Sequence, residues 1–264
     1  MPGLISAVDR VARLSLLTLD YHTDVVLAFR RYACDALDDM DPDMIEGLIR
    51  QLVADIDYTK HDTVSRAVAR LYHDEHIDAA IRSDIVNIAF VVSYHSTGNR
   101  SKEEREYWDD WPMTLIENRK EPTRPFTYDI PGNRVFEIRS GCYVGCEKIC
   151  HDDECIRLHS DQAIETCYLK EKMAIINEFC DSVGLKEIIE QEFILDIDLD
   201  YFRTARAIEP ADSAEFYKLI RQAVAITIAI EPACVEARKL SGEDITADYL
   251  LSRLEHHIAE ALGQ

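Results

Sequence analysis

The run IVNIAFVVSYH, residues 85–95, decides the fold class, because it is almost continuously apolar and rich in β-branched residues. Such a run is typical of a strand buried on both faces, and strands of that kind belong to parallel sheets covered by helices. LLTLDYHTDVV at 16–26, which is β-rich and ends in polar residues, precedes it, and FILDIDLDYF at 193–202 and AITIAIEP at 225–232 follow it. We therefore predict four strands in one mainly parallel sheet, with the last two also buried.

Helical segments separate these strands. The clearest begins at Asp41, which can cap a helix whose first position is taken by Pro42. Alternating strands and helices predict an α/β fold, a three-layer α/β/α arrangement with helices on both faces of the sheet. Residues 98–135 are polar and proline-rich, and we predict a loop there. The predicted helices cover residues 4–14, 41–56, 63–83, 161–183, 213–224 and 246–262.

The composition limits the domain count and the partners. The 264 residues contain no convincing linker, so we predict a single domain over 1–264. The net charge of −21 repels phosphate backbones, which excludes nucleic acid as the expected partner and favours cationic ligands. No apolar run reaches the roughly 18 residues that cross a membrane, and the N-terminus lacks a signal-peptide pattern. We expect no membrane partner and a cytoplasmic location.

Acidic residues gather where the predicted strands end. Ligands of parallel α/β sheets bind at the carboxyl ends of the strands, so these side chains are candidates for one site. Residues two apart share one face of an extended segment and can converge on one point. The candidates are Asp20, His22 and Asp24 in the end of the first strand, Asp196, Asp198 and Asp200 in the end of the later one, and Glu231 at the end of the last.

So many carboxylates need cations to share a small pocket. Mutual repulsion would otherwise raise their pKa values or force the site open. Two divalent ions bridged by shared carboxylates would relieve this repulsion. An oxygen-rich set with one histidine suits Mn²⁺ better than Zn²⁺, which prefers more nitrogen or sulfur. A capped polar loop at 20–24 and an acidic edge strand at 196–200 are the alternatives for each motif taken alone.

Three motifs resemble the arginase/agmatinase (ureohydrolase) superfamily. DYHTD at 20–24 resembles its D-A-H-x-D motif, and Asp196-Ile197-Asp198 resembles S-x-D-x-D-x-x-D-P. IAIEP, with Glu231, resembles the final strand of the family. The phrase LDIDLDYF is most similar to arginase-like peptide arginases, which form ornithine in precursor peptides during natural-product biosynthesis. The three motifs span residues 20–232 in the family's order.

The resemblance implies an arginase/deacetylase-like fold with two manganese ions. Asp20 and Asp196 would bridge the ions, Asp24 would complete one, and His22 and Asp198 would bind the other. The metals would make hydroxide available at neutral pH.

The resemblance also implies a reaction. Glu231 would bind the guanidinium of an arginine residue in a peptide, and hydrolysis would leave ornithine and release urea.

The sequence departs from the family's pattern at three points. The family supplies one further histidine upstream of D-A-H-x-D, and none of the first nineteen residues is a histidine. Asp200 and His95 are candidates to replace it. The S and the closing D-P of the second motif are absent, so Asp198 and Asp200 are an alternative ligand pair. The proton-shuttling histidine has no clear counterpart, and His95 is again a candidate beside an ordinary loop role.

Other functions fit parts of the pattern. The substrate could be free arginine or another small guanidino or amide compound. ILDIDLDYF loosely resembles the nucleophile strand of haloacid-dehalogenase-type phosphatases, although DYHTD would then have no role. A non-catalytic peptide-binding protein with a degenerate metal site is the third alternative. Metal content and urea release distinguish these classes.

A cysteine-rich segment, which we place at 136–160 as an insertion, carries CYVGCEKICHDDEC. In a reducing compartment such a cluster more often binds metal than forms disulfides. The spacing does not match the usual paired zinc modules. Structural zinc, disulfides and plain thiols therefore all stay open for Cys142, Cys146, Cys150 and Cys155.

Overall fold

Five parallel strands form one sheet at the centre of the molecule. The computed structural model describes residues 14–37, 41–110, 120–148 and 152–263. Within these ranges the strand order is β3-β2-β1-β4-β5. The strands are β1 Ser15–Asp20, β2 Ile88–Ser93, β3 Val135–Arg139, β4 Phe193–Asp198 and β5 Ala225–Ala229.

Helices cover both faces of this sheet. The helices of the described ranges are α1 Arg30–Ala36, α2 Pro42–Ala54, α3 His61–Val68, α4 His76–Arg82, α5 Lys102–Asp109, α6 Asp153–Asp161, α7 Thr166–Val183, α8 Ala214–Gln222, α9 Pro232–Arg238 and α10 Ala247–Leu262. Single 3₁₀ turns occupy Ile188–Glu190, Leu199–Tyr201 and Arg206–Ile208.

The core is divided by the sheet, because neighbouring residues of each strand point to opposite faces. Leu17 of β1 packs in the larger cluster with residues of α7, α8 and α10. Leu16 packs on the other face, against Ile77 and Ile81 of α4. Helices α1, α2 and α3 pack together with α4 in a third cluster. The predicted three-layer α/β/α fold is confirmed.

The element boundaries differ from the prediction at several places. Strand β3 and helix α5 lie in or beside the segment predicted as loop, and residues 136–139 of the supposed insertion belong to β3. β3 is an edge strand that pairs only with β2. It has only five residues, VFEIR, which are too few to show a clear alternation of apolar and polar side chains. The helix predicted for 63–83 is two helices, since the buried Glu75 accepts hydrogen bonds from the backbone N–H groups of Tyr72 and Arg31 between them.

The last strand is an edge strand, and the prediction that it is buried on both faces was wrong. β5 pairs only with β4 and ends at Ala229. Val224 and Ile230, which flank it, are 54% and 48% exposed. The apolar run therefore reflects one covered face only, that of Ile226 and Ile228 against the larger core cluster.

None of the helices in the described ranges has both the length and the apolar character needed to cross a lipid bilayer.

Candidate metal centre

Two aspartates lie side by side where the two central strands end. The register pairs Leu19 of β1 with Ile197 of β4, so Asp20 and Asp198 are the next residues on adjacent parallel strands and share a face. Both are buried, with 2% and 7% of their surface exposed. The first strand and β4 thus deliver two carboxylates to the edge at which ligands of parallel sheets bind.

Each of these aspartates organises the turn that follows it. Asp20 Oδ1 accepts a hydrogen bond from the His22 N–H at 2.8 Å, and Asp198 Oδ1 accepts one from the Asp200 N–H at 3.0 Å. Asp200 Oδ1 accepts from the Tyr21 N–H at 3.3 Å, which joins the two turns. The expectation that continuous strands carry the motifs was wrong, because β1 ends at Asp20 and Asp200 lies in a 3₁₀ turn.

The turns bring Asp20, His22 and Asp200 together. One ligand atom from each residue lies within 4.8 Å of the others, a spacing that could hold a metal ion. Asp200 is 1% exposed, and its Oδ2 accepts no hydrogen bond from any described residue. That oxygen lies 3.2 Å from His22 Nδ1. Two ligands about 2.1 Å from an ion at a right angle are ~3.0 Å apart, so the contact fits a shared cation.

Burial and mutual repulsion make ionisation of the aspartates at this site unfavourable. Burial, together with the charges of Asp24, Asp198 and Asp200, raises the pKa of Asp20 to about 10. Burial and the charge of Asp200 raise the pKa of Asp198 to about 7, and burial raises that of Asp24 to about 6. A bound cation would oppose each of these shifts by favouring the charged form. Burial also lowers the pKa of His22, which favours the neutral imidazole that metals bind.

A pocket of about 340 Å³ opens beside this cluster. Asp24, whose backbone is left-handed with φ 47°, lines it together with Asp198 and Glu231. Glu231 occupies the N-cap position of α9, two residues beyond the end of β5, and its Oε2 accepts a hydrogen bond from the Cys234 thiol at 2.9 Å. The pocket therefore joins side chains from three strand ends.

His95 stands at the edge of the same pocket, after β2. Its ring centroid lies 4.7 Å from that of Tyr21 and 5.2 Å from that of His22. Its backbone N–H is held by the Tyr21 carbonyl at 3.1 Å, and its side chain is exposed. The structure thus places His95 near the cluster, next to solvent.

Two histidines that the sequence reasoning missed lie near Asp24. The charges of His76 and His73 lower the pKa of Asp24 against the effect of burial. His73 lines the pocket, and its carbonyl lies 2.7 Å from Nδ1 of His76, the first residue of α4. The sequence signal for them is the H-x-x-H spacing in YHDEH, which the prediction of one long helix over 63–83 places in the interior of that helix.

Asp196 lies apart from the cluster. It is two residues before the end of β4, where its oxygens accept hydrogen bonds from the hydroxyls of Thr227 and Thr18. His76 Nε2 is 3.9 Å from it. The structure therefore groups Asp200 with Asp20 and His22, places Asp198 beside Asp20 at the pocket, and leaves Asp196 in a hydrogen-bonded position between strands.

A guanidinium from the protein itself lies against the cluster. Arg238 Nη2 contacts His22 Nε2 at 3.1 Å, and the Arg238 guanidinium lies 4.8 Å from the centroid of the Tyr21 ring. Guanidinium only donates hydrogen bonds, so Nε2 accepts and the imidazole proton is on Nδ1, which lies 3.2 Å from Asp200 Oδ2 but is not aligned for a hydrogen bond to it. A metal bound at Nδ1 requires the opposite tautomer, and Arg238 must then turn away from Nε2.

The cysteine-rich segment forms a second group. Cys142, Cys146 and Cys155 each offer a sulfur within 4.8 Å of the others. Cys150, the fourth cysteine predicted for this group, lies outside the described residues.

Comparison with known proteins gave no match: no protein-family model, no curated protein and no solved structure matches this chain.

Proposed function

We propose that this protein is a manganese-dependent hydrolase that converts arginine residues of a peptide to ornithine and releases urea. One observation carries the proposal: the buried Asp200 Oδ2, without a hydrogen bond from any described residue, faces His22 Nδ1 and lies in a group with Asp20. Leaving a buried carboxylate oxygen unpaired is costly, and a cation removes that cost.

The ligands divide between two ions. His22 and Asp200 would hold one ion and Asp24 the other, and Asp20 and Asp198, neighbours on β1 and β4, would contribute carboxylates to both. His73, which lines the pocket, would contribute an imidazole to the second ion. A set of carboxylates with one imidazole for each ion suits Mn²⁺.

The bound ions would supply a water of lowered pKa, a nucleophile at neutral pH. Glu231, at the pocket wall, would bind the guanidinium through charge-assisted hydrogen bonds and hold its carbon near that water. His95 lines the same pocket from its exposed edge, a position suited to exchange protons between the reaction and solvent.

A large groove next to the pocket supports a peptide as substrate. It has a volume of about 690 Å³, and its wall includes Tyr94, Tyr107, Trp108 and Phe126. Tyr94 immediately precedes His95 of the metal-side pocket, so the two cavities lie on either side of one loop. A free amino acid would leave this groove unused, whereas residues flanking an arginine could pack against its aromatic side chains.

The test is the Mn²⁺-loaded protein with an arginine-containing peptide, and the same peptide carrying lysine as control. We expect urea and ornithine in equal amounts from the first peptide only, with free arginine turned over far more slowly. Phosphatase activity with Mg²⁺ and no urea would overturn the proposal in favour of a phosphatase. Absence of both bound Mn²⁺ and urea would indicate a protein that only binds.

A further inference from the structure

Three thiols meet beyond the carboxyl end of β3, the edge strand that β2 separates from β1. Cys142 and Cys146 lie on the loop that follows β3, and Cys155 lies in the first turn of α6. Cys155 is 1% exposed, while the other two are half-buried. The three residues come from two elements, so the fold rather than sequence proximity alone brings their sulfurs within 4.8 Å.

The separation of the sulfurs distinguishes the possible states. Cys146 Sγ and Cys155 Sγ are 4.0 Å apart. Sulfurs bound to one tetrahedral zinc at about 2.3 Å are ~3.8 Å apart. A disulfide needs about 2.05 Å, and it would use only two of the three thiols. The spacing therefore fits metal ligation without a large movement of the chain.

The backbone around the thiols is arranged for this geometry. The Cys146 N–H donates to the Tyr143 carbonyl at 3.1 Å, closing a turn in which Gly145 has φ 89°. Asp152 caps α6 by accepting the Cys155 N–H at 3.0 Å, which fixes the start of that helix. Both thiol-bearing segments are thus held by their own hydrogen bonds.

A purely packing role explains the group less well. Cys180 shows what such a thiol looks like here: it is buried in the larger core, and its sulfur accepts a hydrogen bond from Gln191 at 3.7 Å. Packing alone gives no reason for three sulfurs to face one another near the surface.

We propose that Cys142, Cys146 and Cys155 bind a structural zinc ion, separate from the carboxylate cluster and independent of the hydrolase proposal. Binding converts three thiols to thiolates and releases three protons to solvent. A fourth donor completes the tetrahedron.

The ion would fix the loop after β3 to α6. His159 of α6 packs against Tyr94 at a ring-centroid distance of 5.0 Å, and Tyr94 stacks on Tyr21 at 5.7 Å. The zinc would therefore stabilise the aromatic wall behind the carboxylate cluster without contacting its ligands.

The experiment replaces metal in the full chain with Co²⁺ and records thiolate-to-metal charge-transfer absorbance. The test variants are Cys142→Ser and Cys155→Ser. The matched control is Cys167→Ser, an exposed cysteine of α7. Asp200→Asn is measured in parallel, since it disables the carboxylate cluster and leaves every thiol in place.

We expect one zinc per chain that is retained in Asp200→Asn and in Cys167→Ser. The charge-transfer band should disappear in Cys142→Ser, and chelation of the wild type should lower its melting temperature. If Cys155→Ser fails to fold because that residue is buried, Cys142→Ser alone decides. The inference would be overturned if the band is unchanged in Cys142→Ser, or if the wild type shows neither zinc nor the band. It would also be overturned if the unreduced, denatured protein has fewer than eight titratable thiols, because the chain has eight cysteines.

Discussion

At the scale of single residues, two aspartates of one motif have opposite environments. Asp196 has hydroxyl donors on both oxygens, whereas Asp200 has one buried oxygen that faces only an imidazole. The two residues are four apart in an alternating sequence, so the sequence pattern does not distinguish them. Their hydrogen-bond partners in the folded protein do. The partners therefore predict which carboxylate a metal needs.

Asp200→Asn and Asp196→Asn test this difference directly. We expect Asp200→Asn to lower Mn²⁺ affinity on the order of 100-fold or more, since losing a ligand costs at least as much as losing a residue that only hydrogen-bonds to a ligand. Asp196→Asn should stay within a few-fold of wild type. Calorimetric titration with Mn²⁺ measures both, and equal losses would contradict the assignment.

The raised pKa values of Asp20, Asp198 and Asp24 predict how metal-free stability depends on pH. A carboxyl whose folded pKa lies above its unfolded value contributes stability below the unfolded pKa, and this contribution is lost as pH rises through the folded pKa. For Asp24 and Asp198 that loss falls between about pH 4 and the folded values of about 6 and 7.

We therefore expect the melting temperature of the metal-free protein to fall by several degrees from about pH 5 to pH 8. Saturating Mn²⁺ should reverse the trend, because ions bind the ionised carboxylates. The control is Asp198→Asn, whose metal-free form should lose less stability over the same range. Thermal unfolding followed by circular dichroism is sufficient, and a flat metal-free profile would argue against the shifts.

At the scale of elements, the end of β5 brings the Glu231 carboxylate to the pocket. Glu231 lies at the start of α9, where Pro232 takes the first helical position and the carboxylate lines the pocket rather than the strand. An edge strand leaves this position open to an incoming side chain. Glu231 takes no part in the pairing of β5 with β4, and it is not one of the three grouped side chains that could hold a metal ion.

Glu231→Gln should keep its Mn²⁺ and lose substrate binding. Replacing a charge-assisted contact with a neutral one costs roughly 1.5–3 kcal/mol, so kcat/KM should fall about 10- to 100-fold. Steady-state kinetics with the arginine peptide measures the loss, and Mn²⁺ titration confirms that the metal site is intact. Cys234→Ala, which removes only the thiol that donates to Glu231, is the control. Full activity in Glu231→Gln would exclude this role.

At the scale of the whole molecule, the net charge of −21 would attract the cationic peptide of the proposed function. The Debye length shortens from about 30 Å at 0.01 M salt to about 8 Å at 0.15 M, so long-range attraction fades over this range. An acidic protein surface therefore raises the encounter rate of basic peptides at low salt.

We expect kcat/KM for a peptide with extra lysines beside its arginine to fall several-fold between these salt concentrations. A peptide with neutral flanking residues should change much less. Initial-rate measurements of urea release across a salt series decide the point, and equal salt dependence for both peptides would show that the overall charge plays no part.

Sequence by itself determined the layered fold and the edge of the sheet that carries the acids. Apolar runs and helical periods reflect local burial, so β1, β2 and β4 could be located from the chain alone. The short strand β3 and the exposed face of β5 could not, because their burial depends on neighbours far away in sequence.

Tertiary structure decided which side chains meet. The turns after β1 and β4 bring Asp200 to Asp20 and His22 and place Asp198 at the pocket, whereas Asp196 stays hydrogen-bonded between strands. The start of α4 brings His73 and His76 towards Asp24. The loop after β3 and the first turn of α6 gathered three thiols. Spacing in sequence limits which residues can share a face, but only the packing of strands and helices fixes distances across the fold.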